Sequence, residues 1–368
     1  MNLLLPLLLF TRFTWAQDGT PHYRSYFYIG GSYVPSPANA SEHIRTEQVY
    51  VERLTPISPR DRKQPAILLL HGQAQTGTNF LNTPDNRPGW SSHFLAAGHT
   101  VYIADQPLRG RSPVHPASTL SVYSAERISN QFTAPQVAAL WPQARKHTQW
   151  PGAGVQGDEV FDAYYASNAP FEGNTTLQQL RMRAALVELV EGIEGDVVVV
   201  AHSQAGLFAW ALADAVGRRR VKGIVALEPT GPPFREEVFS KVPARKWGLT
   251  DIPLAYEPKV VDPAVEIAVE RVGVETEEMA ACSLQDETKT VRRLKILRDV
   301  PVLLVTSEAS YHAVYDHCTV AFLRQAGVKT EFMRLWERGQ RGNGHLMFME
   351  KNSKEVWKLV EEWVVRLK

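Results

Sequence analysis

Short unbroken apolar runs recur along this chain at residues 66–70, 100–104, 196–201, 221–227 and 300–306. Runs of that length without polar alternation read as strands buried on both faces, the pattern of a parallel sheet. Between them, residues 90–97, 176–193, 207–216 and 318–326 carry apolar positions at helical spacing. Residues 330–335 read as a last strand, and 350–367 as a strongly amphipathic helix. Ahead of this alternation, residues 22–34 and 45–54 are rich in Tyr, Val and Ile and are separated by turn residues, Gly30-Gly31 and then 35–39. They predict an antiparallel pair at a sheet edge. Strands alternating with helices imply an α/β fold with a mostly parallel central sheet and helices on both faces.

Two stretches break the alternation. One covers 112–173 and contains Trp141, Trp150, Tyr164 and Tyr165; the other covers 232–288 and contains Trp247, Tyr256 and an acidic segment at 275–278. Loops this long inside a compact domain usually carry function. They are expected to form a cap over a site, and peripheral decoration is the alternative.

Composition narrows the class. The chain of 368 residues has 40 Lys and Arg against 39 Asp and Glu, with 44% hydrophobic and 21% charged residues. That balance excludes a disordered chain and a nucleic-acid binder held by a basic face. Two cysteines exclude a disulfide framework and a four-cysteine zinc site. At the N-terminus, residues 3–10 are apolar apart from Pro6, too short a run to span a bilayer, which takes roughly 20 residues. Thr14-Trp15-Ala16 then gives a small–x–small pattern before the chain turns polar. Residues 1–16 therefore read as a secretory signal peptide, although its leading segment holds no Lys or Arg, and 17–368 as a single mature domain. No later run is long enough to span a membrane, so a secreted product is expected. On that route Asn39-Ala40-Ser41 and Asn174-Thr175-Thr176 fit the glycosylation acceptor pattern. Cys282 and Cys318 either pair or remain two buried thiols, and sequence separation leaves both open.

The chemistry lies at strand ends. The run 196–201 leads at once into His202-Ser203-Gln204-Ala205-Gly206 and a helix, the strand–nucleophile–helix context of the G-x-S-x-G elbow. Such a turn exposes Ser203 as a nucleophile at a helix N-terminus, where free N–H groups favour negative charge. The chain order for this fold is nucleophile, acid, base. Of the histidines after Ser203, His345 sits in the flexible turn Gly342-Asn343-Gly344-His345 and is the expected base; His312 and His317 flank a helix start. Two acids are open: Glu228 and Glu308 each follow a strand, and the Pro-rich turn after Glu228 favours it slightly. For the oxyanion hole, the backbone N–H of Gln204 is one donor, and Gln73 in the loop after His71-Gly72 is the candidate for the other. No metal is expected, because no His/Asp cluster has ligand spacing. No organic cofactor is expected either, because no dinucleotide fingerprint appears.

Taken together, His71-Gly72, the Ala-His-Ser-Gln-Ala-Gly elbow and Gly344-His345 resemble the α/β-hydrolase superfamily across nearly the whole mature chain. The segments Asp105-Gln106-Pro107-Leu108-Arg109-Gly110-Arg111-Ser112, Leu227-Glu228-Pro229 and 342–345 resemble a narrower group of secreted or periplasmic microbial serine esterases. In that group the acid follows the strand after the nucleophile helix, which implies Glu228. Ala201 and Ala205 in the elbow depart from its pattern, as does Gln73 where bacterial relatives can carry Cys. The resemblance implies a secreted serine carboxylesterase acting on small or medium apolar esters or lactones, with an acyl-enzyme on Ser203, proton transfer by His345 and orientation by Glu228. Hydrolase-fold enzymes of fungal natural-product pathways are also similar. They imply an alternative in which the same triad performs cyclisation, condensation or elimination. The third reading is a binding protein with a vestigial site.

Overall fold

Eight strands make one sheet: β1 (His22–Pro35), β2 (His43–Pro56), β3 (Ala66–Leu70), β4 (Val101–Asp105), β5 (Val197–His202), β6 (Val221–Leu227), β7 (Val302–Thr306) and β8 (Thr330–Arg334). Their order across the sheet is β1-β2-β4-β3-β5-β6-β7-β8. β1 and β2 form the antiparallel edge, β2 runs antiparallel to β4, and every later neighbour is parallel. This is the sheet expected from the apolar runs. The computed structural model describes residues 19–57, 64–114 and 119–367, so the expected signal peptide lies outside the described residues.

Alternate side chains of each central strand feed different cores. Leu68, Leu70, Val199, Ile224 and Leu304 face a layer containing Met182, Leu186, Phe208, Leu212 and Phe322. These come from α3 (Thr175–Gly192), α4 (Ala205–Val216) and α5 (Asp316–Gln325). Ile67, Leu69, Val198, Val225 and Leu303 face the opposite layer, with Trp90, Phe94, Val356, Val360 and Trp363. That layer belongs to α1 (Trp90–Ala96) and α6 (Ser353–Val364). A strand with both faces covered has no position for a polar side chain, which is why these strands read as unbroken apolar runs.

Register then sets the site. His202 of β5 pairs with Leu227 of β6, and Leu227 pairs with Val305 of β7. Residues 203, 228 and 307 therefore leave the sheet side by side at its carboxyl edge. The two long interruptions hold only short elements. The first contains α2 (Glu159–Ala166) and a ribbon of Leu120–Ser121 with Phe171–Glu172. The second contains a ribbon of Val269–Val272 with Cys282–Gln285. Cys282 and Cys318, left open by the sequence, are joined as a disulfide that ties this ribbon to α5. Asn39 and Asn174 are both exposed, and the Asn174 side chain caps α3 by accepting from the Leu177 N–H at 3.0 Å.

Candidate active site

Ser203 opens the two-residue corner between β5 and α4, with φ +55°, a left-handed conformation that non-glycine residues rarely adopt. Its neighbours hold it there: the Ser203 N–H donates to the Leu227 carbonyl at 3.0 Å, and its own carbonyl accepts from Thr230 and Gly206. The corner closes because Gly206 lets α4 approach the turn after β6. A Cβ there would stand 2.4 Å from Cβ of Pro229. Small residues in the elbow are thus a packing requirement, met at 201 and 205 by Ala.

His345 lies on the loop between β8 and α6. Its Nδ1 donates to Oε2 of Glu228 at 2.6 Å, leaving Nε2 as the acceptor of a neutral imidazole. Nε2 is 3.5 Å from the Tyr311 hydroxyl. Glu228, fully buried and itself at φ +45°, also accepts from the Ser307 N–H at 2.7 Å and the Ser310 hydroxyl at 2.6 Å. Glu308 goes elsewhere. It pairs with Arg341 at 3.1 Å and accepts from the Gly342 N–H at 3.0 Å, gripping the start of the His345 loop. A second carboxylate, buried Glu350, accepts from the Gly344 N–H, the Asn343 amide and His147. His202 donates from Nε2 to the His345 carbonyl at 2.9 Å and so steadies the same loop.

Electrostatics follow from burial. Burial first, and then the neighbouring His202 and His312 rings, push the His345 imidazole well below its ordinary value of 6.5, so the ring rests neutral. Burial and then the neighbouring Asp316 push the Glu228 carboxyl up, against the Ser310 and Ser307 hydrogen bonds. His202 is held down at about 3, again chiefly by burial. His312 stacks on His345 with ring centroids 4.9 Å apart, donates from Nδ1 to Asp316 at 3.0 Å, and meets the Tyr315 hydroxyl with Nε2 at 3.1 Å. Donor atoms of Glu228, His312 and His345 lie within 4.8 Å of one another. They are the residues nearest to a metal-ligating set in the site, but each is already committed to the hydrogen bonds above.

Ser203 and His345 open onto one cavity of about 290 Å³. Gln73, Gln75 and Thr230 line it beside the sheet; Tyr123, Arg127, Gln131 and Phe132 reach it from the first insertion, and Glu236, Phe239 and Ser240 from the second. Gln73 accepts from the Tyr123 hydroxyl at 2.7 Å, and Gln204 opens α4 behind Ser203. The aromatics singled out by sequence do not line this cavity. Trp141, Trp150, Trp247 and Tyr256 are buried, with Trp150 against Tyr164 and Trp247 against Tyr256. Phe132, packed on His345 at 5.3 Å, and Phe239, on Tyr311 at 5.1 Å, take that place. The sequence reading also missed Ser307, Ser310 and Tyr311. Their only signal is position, on the segment that leaves β7 beside Glu228.

A Ser at a strained elbow, a His–Glu pair and a shared cavity suit acyl transfer. Residues 67–359 match the model of a family described as "Alpha/beta hydrolase family". The chain belongs to the alpha/beta hydrolase family. It is 41% identical over 350 residues to the "Probable secreted lipase phiG" of a fungus, Fungal sp. (strain ATCC 74256), covering 95% of this chain and 91% of that one. Among solved structures, this alpha/beta hydrolase resembles "a Novel Bacterial Esterase" with a TM-score of 0.62 and 21% identity, over 97% of this chain and 99% of the other. At that identity the likeness concerns the fold.

Proposed function

We propose that this alpha/beta hydrolase is a secreted serine ester hydrolase acting on small or medium esters or lactones. One observation carries the proposal: Ser203, at the strained elbow, shares a cavity with His345, whose Nδ1 is held by buried Glu228 at 2.6 Å. In this reading Ser203 Oγ attacks the carbonyl carbon while its proton passes to His345 Nε2. The carbonyl oxygen becomes an oxyanion facing the backbone N–H groups of Gln73 and Gln204. Collapse of the tetrahedral intermediate breaks the ester C–O bond, and His345 returns the proton to the departing alcohol. Water then attacks the acyl-enzyme, giving its proton to His345, and a second collapse releases the acid and restores Ser203. Glu228 keeps Nδ1 protonated and the ring oriented throughout.

The two insertions form the proposed cap, since each supplies cavity residues and the Gln143 side chain of the first donates to the Glu278 carbonyl of the second at 2.6 Å. The cavity wall mixes aromatic rings with Gln75, Arg127, Gln131 and Glu236. It suits an ester with hydrogen-bonding groups better than the mainly apolar one expected from sequence. Secretion is supported by the description of the fungal relative and by the leader pattern at 1–16. Among the described residues no helix is long and apolar enough to cross a membrane.

A second reading has its own observation. Tyr315 lines the same cavity, and its hydroxyl meets His312, which is bound to Asp316. A second acid–base hydroxyl there would serve cyclisation or elimination. Turnover of chromogenic short-chain esters by the mature protein, with Ser203→Ala as blank, tests the first reading. Silence on every ester while a fluorophosphonate still labels Ser203 would move the assignment to the second.

A further inference from the structure

Asp105–Ser112, the segment after β4, carries no role in the scheme above, yet it sends one guanidinium into the core beside the elbow. Arg109 is 1% exposed. Its Nη1 donates to the Gly72 carbonyl at 2.9 Å, its Nη2 reaches Oε1 of Gln204 at 3.4 Å, and its Nε is buried without a hydrogen-bond partner. Asp105 at the head of this segment and Glu52 of β2 are both ion-paired with Arg111. Among the described residues Arg109 has no ion-pair partner, and the ring of Phe171 from the first insertion covers it at 5.8 Å.

We propose that Arg109 is the positioning residue of the oxyanion hole, its guanidinium fixing both donor-bearing segments and setting an uncompensated positive charge behind them. The proposal rests on the reading of Gln73 and Gln204 as the oxyanion donors. Across a planar trans peptide the C=O of one residue and the N–H of the next point in opposite directions. Holding the Gly72 carbonyl therefore aims the Gln73 N–H away from Arg109, on the opposite side of that peptide. His71 tightens the grip: its Nδ1 donates to the same carbonyl at 2.9 Å, and its Nε2 accepts from the Gln106 N–H at 3.2 Å. There is no slack in this loop, because a Cβ on Gly72 would sit 3.0 Å from Cβ of Ser203. The turn that delivers Arg109 is itself wound through left-handed residues on either side, Leu108 at φ +63° and Gly110 at +58°. Backbone strain of this kind collects at functional sites.

A buried cation without a counter-ion is costly in the resting protein. Burial draws the guanidinium down to about 9, against the opposing influence of Tyr123 and Asp105. The charge is best matched in the state where a negative oxygen appears at the donors, so it favours the transition state over the bound ester. Arg109 should therefore act on kcat and leave KM nearly alone.

The test uses the full mature chain with Arg109→Gln and Arg109→Lys, each first shown folded by circular dichroism. Three quantities are read: kcat and KM on the best ester, the rate of Ser203 labelling by a fluorophosphonate, and affinity for a phenylboronic acid, whose tetrahedral adduct is anionic. For Arg109→Gln, kcat should fall on the order of 10²-fold, the size expected for loss of an oxyanion donor, with KM changed less than about threefold. Labelling rate and boronate affinity should fall with kcat, while binding of the neutral alcohol product stays put. Arg109→Lys, which keeps the charge but loses the fork, should recover part of the loss. If Arg109→Gln does not fold, the lysine variant decides on the same readouts. A folded variant with kcat and labelling within about threefold of wild type, or one that raises KM alone, overturns the inference. Should wild type neither turn over esters nor label at Ser203, the ester-hydrolase reading fails and this inference fails with it.

Discussion

Two adjacent strand ends place non-glycine residues in left-handed backbone, Ser203 at φ +55° and Glu228 at φ +45°. Each such residue costs on the order of 1–3 kcal/mol. Glycine adopts this conformation freely. Ser203→Gly should therefore unfold with about 1 kcal/mol more stability than Ser203→Ala, while both abolish turnover and labelling; equal denaturation midpoints would contradict strain at the elbow. The elbow was legible because a buried strand, small residues and a helix coincide in one short stretch. The acid was less legible, since Glu228 and Glu308 both end strands; the Pro-rich turn and the resemblance favoured Glu228, and the hydrogen bonds of the two carboxylates differ accordingly. Glu228 receives Ser307, Ser310 and His345, whereas Glu308 holds Arg341 and Gly342. Glu228→Gln is expected to lower kcat by about 10²–10⁴, by analogy with loss of a triad carboxylate, and Glu308→Gln far less. The reverse ranking in steady-state assays would exchange their roles. Burial also fixes the sign of the pH response. His345 must be neutral to accept the serine proton, and its pKa lies well below 6.5. Activity is present above that pKa and lost as pH falls through it. The acid limb of kcat/KM should thus begin below 6.5, and a limb centred at or above that value would mean that His345 is not the titrating base.

Elements were easiest to read where both faces are buried. The central strands match their apolar runs to within a few residues, because no polar residue fits between two packed layers. The last helix shows where pattern reading stops. Apolar spacing predicted it from 350, but it starts at Ser353. Glu350 is committed instead to the His345 loop, accepting from Gly344, Asn343 and His147, while 346–349 are core residues. Periodicity records which side chains are buried and does not record whether the backbone beneath them is helical. Glu350→Ala would strand these buried donors, so it should cost about 3–5 kcal/mol in chemical denaturation, the range for breaking a buried charged pair. Activity should fall more than the unfolded fraction explains, because the same contacts hold the base loop. A loss under about 1 kcal/mol would show that the loop stands without them. The insertions were illegible for a related reason: their helices are eight residues or shorter, and their fold depends on contacts made far along the chain. Large Trp residues drew attention there, but such side chains fill core space, and the smaller Phe132 and Phe239 reach the cavity.

At the scale of the molecule, the question is how a partly enclosed cavity keeps its shape when its walls come largely from loops. The proposed cap is tied down at several points. Cys282–Cys318 fixes the second insertion to α5, Trp141 of the first donates to the Ala309 carbonyl at 3.0 Å, and Gln143 joins the first to the second. Because the bridged cysteines are 36 residues apart, Cys282→Ser with Cys318→Ser should remove roughly 2–4 kcal/mol of stability by freeing the unfolded chain. The mature protein without reductant is the reference. A cap held this way predicts substrate size. The cavity of about 290 Å³ lies at the lower end of small-molecule sites, roughly 300–1,000 Å³, and insertion residues surround Ser203 and His345. An ester of a few carbons on each side of the carbonyl can enter whole. A polymer strand would have to thread past Phe132 and Phe239, which pack on His345 and Tyr311. Across a series of p-nitrophenyl esters, kcat/KM should peak at short or medium acyl chains and fall steeply for long ones. Phe239→Ala should move the peak towards longer chains with little change in kcat for the shortest, because that ring bounds the cavity without touching the proton path. Efficient hydrolysis of an insoluble polyester by the wild-type protein, or a flat chain-length profile, would show that the insertions do not close over the site.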